Sequence, residues 1–168
     1  MAKILASHDN LSLEQLEKFE SENDVKLTES YKEFLMKWNG GKVKPNVFMI
    51  SDEQGPSVLN VFYGIGDMYD NLTDFIDIMD ERLPAGFVPI ADDPSGNTIC
   101  LGTKRPYYDK IYFWDHEQEP VDPDDMSNMY FLANDIYGFF DSLYEDNSEL
   151  NIEEFNVIFQ LKYYRSKI

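Results

Sequence analysis

The chain has 168 residues with 43% hydrophobic, 27% charged and 15% aromatic content, the makeup of one globular domain large enough to fold without a disulfide or a structural metal. Acidic residues outnumber basic ones 32 to 14, a formal charge of −18, which argues against nucleic acid and anionic membranes as partners because both need clustered Lys and Arg. One cysteine, Cys100, an N-terminus without an apolar core of signal-peptide length and a longest charge-free stretch of only 54–66 lead us to expect a cytoplasmic protein with no membrane span.

The first helix is predicted from Ser12, which stands three residues before Gln15 as in a capping box, with Leu13, Leu16 and Phe19 following at helical spacing and an end near Asn23. A second begins after Thr28 and carries Tyr31, Phe34, Leu35 and Trp38 on one stripe. It is expected to stop at Asn39-Gly40-Gly41, where glycine supplies a left-handed C-terminal conformation. A third, capped by Asn71, has Leu72, Phe75, Ile76, Met79 and Leu83 on one face and Asp70, Asp74, Asp77 and Glu81 on the other, and Pro84 ends it. A fourth follows Asn134 with Ile136, Phe139, Phe140 and Leu143, and a fifth is expected over 152–164 behind Asn151.

Strands are expected at 47–50, 57–63, 87–91, 98–101 and 110–114. Asp92-Asp93-Pro94-Ser95-Gly96-Asn97 has the residues of a tight turn, which makes 87–101 a β-hairpin. Helices at both ends with a meander of strands between predict a single α+β domain, its central antiparallel or mixed sheet flanked by N-terminal and C-terminal helices.

Charge is unevenly spread. Residues 1–50 hold eight acids and seven bases, whereas 51–161 hold 24 acids against Arg82, Lys104, Arg105 and Lys110. Asp115, Glu117, Glu119, Asp122, Asp124 and Asp125 crowd one loop-like segment, and Lys162, Arg165 and Lys167 make the last residues basic.

Residues for catalysis are scarce. A nucleophile needs a neighbouring base, and His8 and His116 are the only histidines. Cys100 sits in an apolar strand and is expected to be a buried, inert thiol. One Cys and two separated His cannot make a zinc site. Gly64-Ile65-Gly66 lacks the third glycine and the lysine of a phosphate loop, and 92–97 lacks the alternating acids of a calcium loop. The carboxylates of 115–125 leave a Mg²⁺-dependent hydrolase open, but an acidic run is more often a solvated or partner-binding face. Tyr107 and Tyr108, beside charged residues in a turn-like segment, read either as contacts for a basic protein or as strand-edge packing. We therefore expect no enzyme, no cofactor and no metal, with monomer and homodimer both open.

The run Leu27-Thr28-Glu29-Ser30-Tyr31-Lys32-Glu33-Phe34-Leu35-Met36-Lys37-Trp38-Asn39-Gly40-Gly41 resembles the SUKH superfamily, whose signature is a Leu-Pro-x-x-Tyr-x-x-Phe-Leu helix ending in Asn-Gly-Gly. Thr28 stands where that family most often has Pro, and both suit a helix start. Three later blocks are similar to the family's hairpin, its next strand and its closing helix: 88–101, Ile111-Tyr112-Phe113-Trp114-Asp115-His116-Glu117, and Leu132-Ala133-Asn134 leading into 139–143. The resemblance covers about 13–145 and leaves 146–168 as a C-terminal extension of the domain.

The superfamily takes in many bacterial immunity proteins and the fungal Smi-one/Knr-four cell-wall synthesis regulators. The resemblance implies a non-enzymatic α+β domain that binds a protein, in bacteria commonly the toxin domain encoded next door, often a nuclease. Nuclease domains tend to be basic around the substrate groove, so an acidic protein is steered onto them. The expected interface residues are Asp92, Asp93, Tyr107, Tyr108, Asp115, Glu117, Glu119, Asp122, Asp124 and Asp125. Tyr31, Trp38, Asn39, Gly40, Gly41 and Gly96 are expected to build the fold. The alternative is a regulatory or scaffolding module of the same fold that binds a cellular protein.

Overall fold

The computed structural model describes residues 1–5 and 7–146, so the helix expected over 152–164 lies outside the described residues. Ser12 forms a capping box: its hydroxyl accepts the Gln15 N–H at 3.2 Å and the Gln15 side chain accepts the Ser12 N–H at 2.9 Å, which starts α1 (Leu13–Glu22). Helix α2 spans Glu29–Lys37 and α3 spans Leu72–Met79, capped by Asn71, whose side chain accepts the Asp74 N–H at 2.9 Å. Helix α4 (Ile136–Ser142) starts after Asn134 as expected and is capped by Asp135, whose side chain accepts the Gly138 N–H at 2.8 Å. Helix α3 ends a turn earlier than its apolar stripe predicts, because Asp80 leaves the helical conformation and Glu81 turns left-handed at φ 61°. Leu83 is thereby folded back to be buried beside Met79.

All strand ladders among the described residues are antiparallel. β1 (Lys3–Leu5) pairs with β2 (Lys42–Lys44), and β3 (Val47–Ser51) with β4 (Gly55–Val58). The remaining strands, β5 (Val61–Phe62), β6 (Phe87–Asp92), β7 (Thr98–Gly102), β8 (Ile111–Trp114) and β9 (Met129–Ala133), form one sheet in that order. The single strand expected over 57–63 is two strands in two sheets. It breaks where the Leu59 N–H bonds back to Asn46 and the Asn60 N–H turns to Asp92. β1, β2 and β9 were not legible. The first two have only three residues each, and β9 shows no clean alternation of buried and exposed positions.

This α+β domain buries one face of the five-stranded sheet under the helices, with Val88, Ile99, Leu101, Ile111 and Phe113 in the main core. Phe34 of α2 is the hub of the aromatic packing there, with Trp38, Phe62, Tyr137 and Phe140 within 5.3–6.2 Å edge-on. The other face is covered only in part. Met79 and Leu83 close over Cys100 and Trp114, while Phe87, Tyr112 and Phe131 are left half-buried or exposed.

Candidate partner-binding surface

The β6–β7 turn is built around Asp93. One carboxylate oxygen accepts the backbone N–H groups of Ser95 and Asn97, and the other accepts the Asn97 side chain and the Ser57 hydroxyl, at 2.8–3.0 Å. Asp93 is 4% exposed, so its carboxylate is taken up by these four hydrogen bonds inside the fold rather than displayed on the surface where the interface reading had it. Asp92 is half-buried and accepts from Asn60 (2.9 Å) and the Tyr63 hydroxyl (2.8 Å). Burial pushes its carboxyl above the usual range, and these two hydrogen bonds oppose the shift. Gly96 sits at φ 90°, a conformation that favours glycine, at the tip of the turn.

Asn97 joins this turn to the acidic loop. Its side-chain oxygen accepts the His116 backbone N–H at 3.1 Å and meets His116 Nδ1 at 2.6 Å. Three of the loop acids then hold the loop itself: Asp115, Asp122 and Asp125 each accept a backbone N–H two residues on, from Glu117, Asp124 and Ser127 at 2.8–3.0 Å. Asp115 and Asp125 thereby start two short 3-10 turns, His116–Gln118 and Met126–Asn128. Asp124 reaches out of the loop and accepts the Ala85 N–H at 2.8 Å. Glu119 binds Arg82 through both oxygens, which holds its carboxyl below the usual range. Glu117 is exposed, with no hydrogen bond to its carboxylate among the described residues.

Tyr107 and Tyr108 lie in the β7–β8 connection, at the opposite end of these strands from the Asp115 turn. Tyr107 is packed, its ring 5.4 Å from Phe87 and 5.6 Å from Tyr112, whereas Tyr108 is 47% exposed. The acidic loop nevertheless returns towards this end, since Ala85, where Asp124 is anchored, lies two residues before Phe87. Phe131 continues the aromatic row past Tyr112 at 5.7 Å and is 49% exposed on the edge strand. Sequence reading passed over Phe87 and Phe131 because neither stands beside a charge.

The Asn39-Gly40-Gly41 segment closes α2 differently from the expectation. Trp38 is the cap, in extended conformation at φ −137°, and Gly40 turns left-handed only two residues later, at φ 76°. A Cβ on Gly40 would stand 2.7 Å from the Gly64 nitrogen, so the glycine is there for close backbone approach. Gly41 exchanges two backbone hydrogen bonds with Phe62 of β5. Asn39, 4% exposed, clamps the same strand end, its side chain donating to the Ile65 carbonyl and accepting the Ile65 N–H, both at 2.7 Å. Tyr31 is buried, and burial pushes its hydroxyl far up. This helix end, strapped to the sheet by an Asn-Gly-Gly run and followed by the 88–101 hairpin, has a match among known families: the SMI1 / KNR4 family (SUKH-1) model aligns over residues 10–142. The chain belongs to that family.

The SUKH-1 match ends at Ser142, the last residue of α4, and begins just before the Ser12 cap, so β1 lies ahead of it although its partner β2 lies within. A relative, the SPbeta prophage-derived uncharacterized protein YokK of Bacillus subtilis (strain 168), is 28% identical over 163 residues, covering 87% of this chain and 81% of its own. In this SUKH-1 chain the position that often holds Pro is put to use: the Thr28 hydroxyl donates to Asp109 at 2.6 Å, and the Ser30 hydroxyl donates to the other oxygen at 2.9 Å. Among the described residues no three His, Cys, Asp or Glu side chains gather to hold a metal ion, the 115–125 acids included, and no helix is long and apolar enough to cross a membrane. Burial pushes the Cys100 thiol far up, away from the thiolate that chemistry requires.

Proposed function

We propose that this protein is an immunity protein that neutralises a cognate toxin domain, of basic nuclease type, by stoichiometric binding in the cytoplasm. It acts without catalysis. The observation that carries the reading is the uncompensated charge of the 115–125 loop: among the described residues only Glu119 of its six acids has a cation partner. Asp115, Asp122, Asp124 and Asp125 each give one oxygen to a backbone N–H, so the charge is held in place before a partner arrives. Preorganised charge loses little conformational entropy on binding and speeds encounter with a basic surface. Tyr108 and Phe131 supply exposed aromatic area for the desolvated part of such a contact. Membership of a family that includes immunity proteins supports the same reading.

The test is co-expression with the C-terminal domain of the protein encoded beside it, scoring survival and then affinity at low and high salt. Rescue, with affinity falling about tenfold or more as salt rises, is the expected result. Unchanged survival with no complex at either salt sinks the reading and leaves the regulatory module that binds a cellular protein.

A further inference from the structure

A groove of about 680 Å³ runs between the α1–α2 connection, the end of α3 and the start of β6. We infer that it seats an extended lysine- or arginine-bearing segment of the partner protein, with one apolar side chain anchored on its floor. The inference rests on the toxin-binding reading for the partner's identity, and it adds residues that reading does not use.

The floor is apolar, formed by Val25, Ile76, Met79, Leu83 and Phe87, and it is the kind of surface along which the aliphatic stems of Lys and Arg lie while their heads reach charge. The charge is on the walls. Asp24, Asp80, Glu81 and Asp124 line the groove together with Lys26 and Lys104, four carboxylates against two ammonium groups. Among the described residues none of these four acids is paired with a lysine or arginine, although all are exposed. An occupant with positive charge gains from all four, whereas an acidic or purely apolar segment does not.

Two further features fit a built site. The walls are tied together before any ligand arrives, because the Asn23 side chain donates to Thr73 of α3 at 3.3 Å and Asp124 is anchored on Ala85 at 2.8 Å. Among the described residues, two of the three non-glycine positions with left-handed backbone, Asp24 (φ 48°) and Glu81 (φ 61°), line this one groove, and such conformations persist where surrounding structure holds them. The same turn also shows how a guanidinium is received at this edge of the sheet: Arg82 lies 5.1 Å from the centre of the Trp114 ring while Glu119 binds it bidentately.

The full chain, ¹⁵N-labelled, is titrated with the heptapeptide Lys-Leu-Lys-Leu-Lys-Leu-Lys and with its Glu-for-Lys counterpart. The expected result is amide shifts gathered on Val25, Met79, Glu81, Gly86 and Phe87 with the basic peptide alone. Affinity should weaken about tenfold in Asp80→Lys/Glu81→Lys and hold in Asp52→Lys/Glu53→Lys, a control pair on the exposed β3–β4 turn, both variants first matched to wild type by near-UV circular dichroism. Shifts scattered over the acidic surface, or equal affinity in the two variants, overturn the inference. In the co-expression assay, rescue by wild type and equally by Asp80→Lys/Glu81→Lys also overturns it while leaving the immunity reading intact. Failure of wild type to rescue, with the peptide still seated in the groove, does the reverse.

Discussion

Glu119 holds the Arg82 guanidinium through both carboxylate oxygens, at 3.0 and 2.9 Å, and so fixes a cation beside the buried Trp114 ring at one end of the second core. The pair also links the end of α3 to the acidic loop. The two side chains are 41% and 31% exposed, so solvent screening keeps the contribution small, about 1 kcal/mol or less.

That pair has a definite pH signature. The Arg82 hydrogen bonds hold Glu119 below its ordinary value of 4.5, so the folded state binds fewer protons there than the unfolded chain does. The contribution is therefore full above 4.5 and is lost as pH falls through the folded value. Glu119→Gln should unfold at lower urea than wild type at pH 7, and the gap should be smaller at an acid pH well below 4.5. A gap of the same size at both pH values would refute the assignment.

Thr28 and Asp109 are 81 positions apart and hydrogen-bonded at 2.6 Å, and Thr28 is fully buried. Thr28→Val keeps the shape and removes the donor, leaving a carboxylate oxygen short of a partner, at a cost of about 2 kcal/mol. Thr28→Ser restores the donor and should recover most of the loss. Equilibrium denaturation of the three proteins separates these outcomes.

Gly40 and Gly55 have nearly the same φ, 76° and 78°, but different surroundings. A Cβ on Gly40 meets the Gly64 backbone at 2.7 and 2.9 Å, whereas one on Gly55 has nothing within 4 Å. Gly55→Ala should cost only the conformational term, about 1 kcal/mol. Gly40→Ala adds overpacking of backbone on backbone and should cost about 3 kcal/mol or more, read as a fall in melting temperature or loss of soluble protein.

Asp93 and the loop acids should separate in a paired assay of stability and toxin binding. Asp93→Ala removes a buried carboxylate and the four hydrogen bonds it accepts, and should destabilise the fold by about 3 kcal/mol, with affinity of the folded fraction unchanged. Charge reversal of Asp122 and Asp125 should leave the melting temperature within a few degrees and lower affinity for the toxin domain about tenfold or more. An intact complex with the reversed loop would remove these residues from the interface.

Local signals in the chain determined the helix starts, the 87–101 hairpin, the Asn-Gly-Gly run and the burial of Cys100. Each is written in residues close in sequence: a capping box spans four positions, an amphipathic stripe repeats every three or four, and a tight turn needs only its own Asp, Pro, Gly and Asn. Their order was enough to reach the α+β class and the family resemblance. Tertiary structure alone decided what each acid does. Asp93 and Asp122 look alike in sequence, yet one is enclosed by Ser57 from 36 positions away and the other faces solvent. Likewise Glu119 is neutralised by an arginine 37 positions upstream, and the groove acids Asp24, Asp80 and Asp124 come from three separate segments. Burial and charge pairing depend on which distant segments the chain closure brings into contact, and neither composition nor periodicity carries that information.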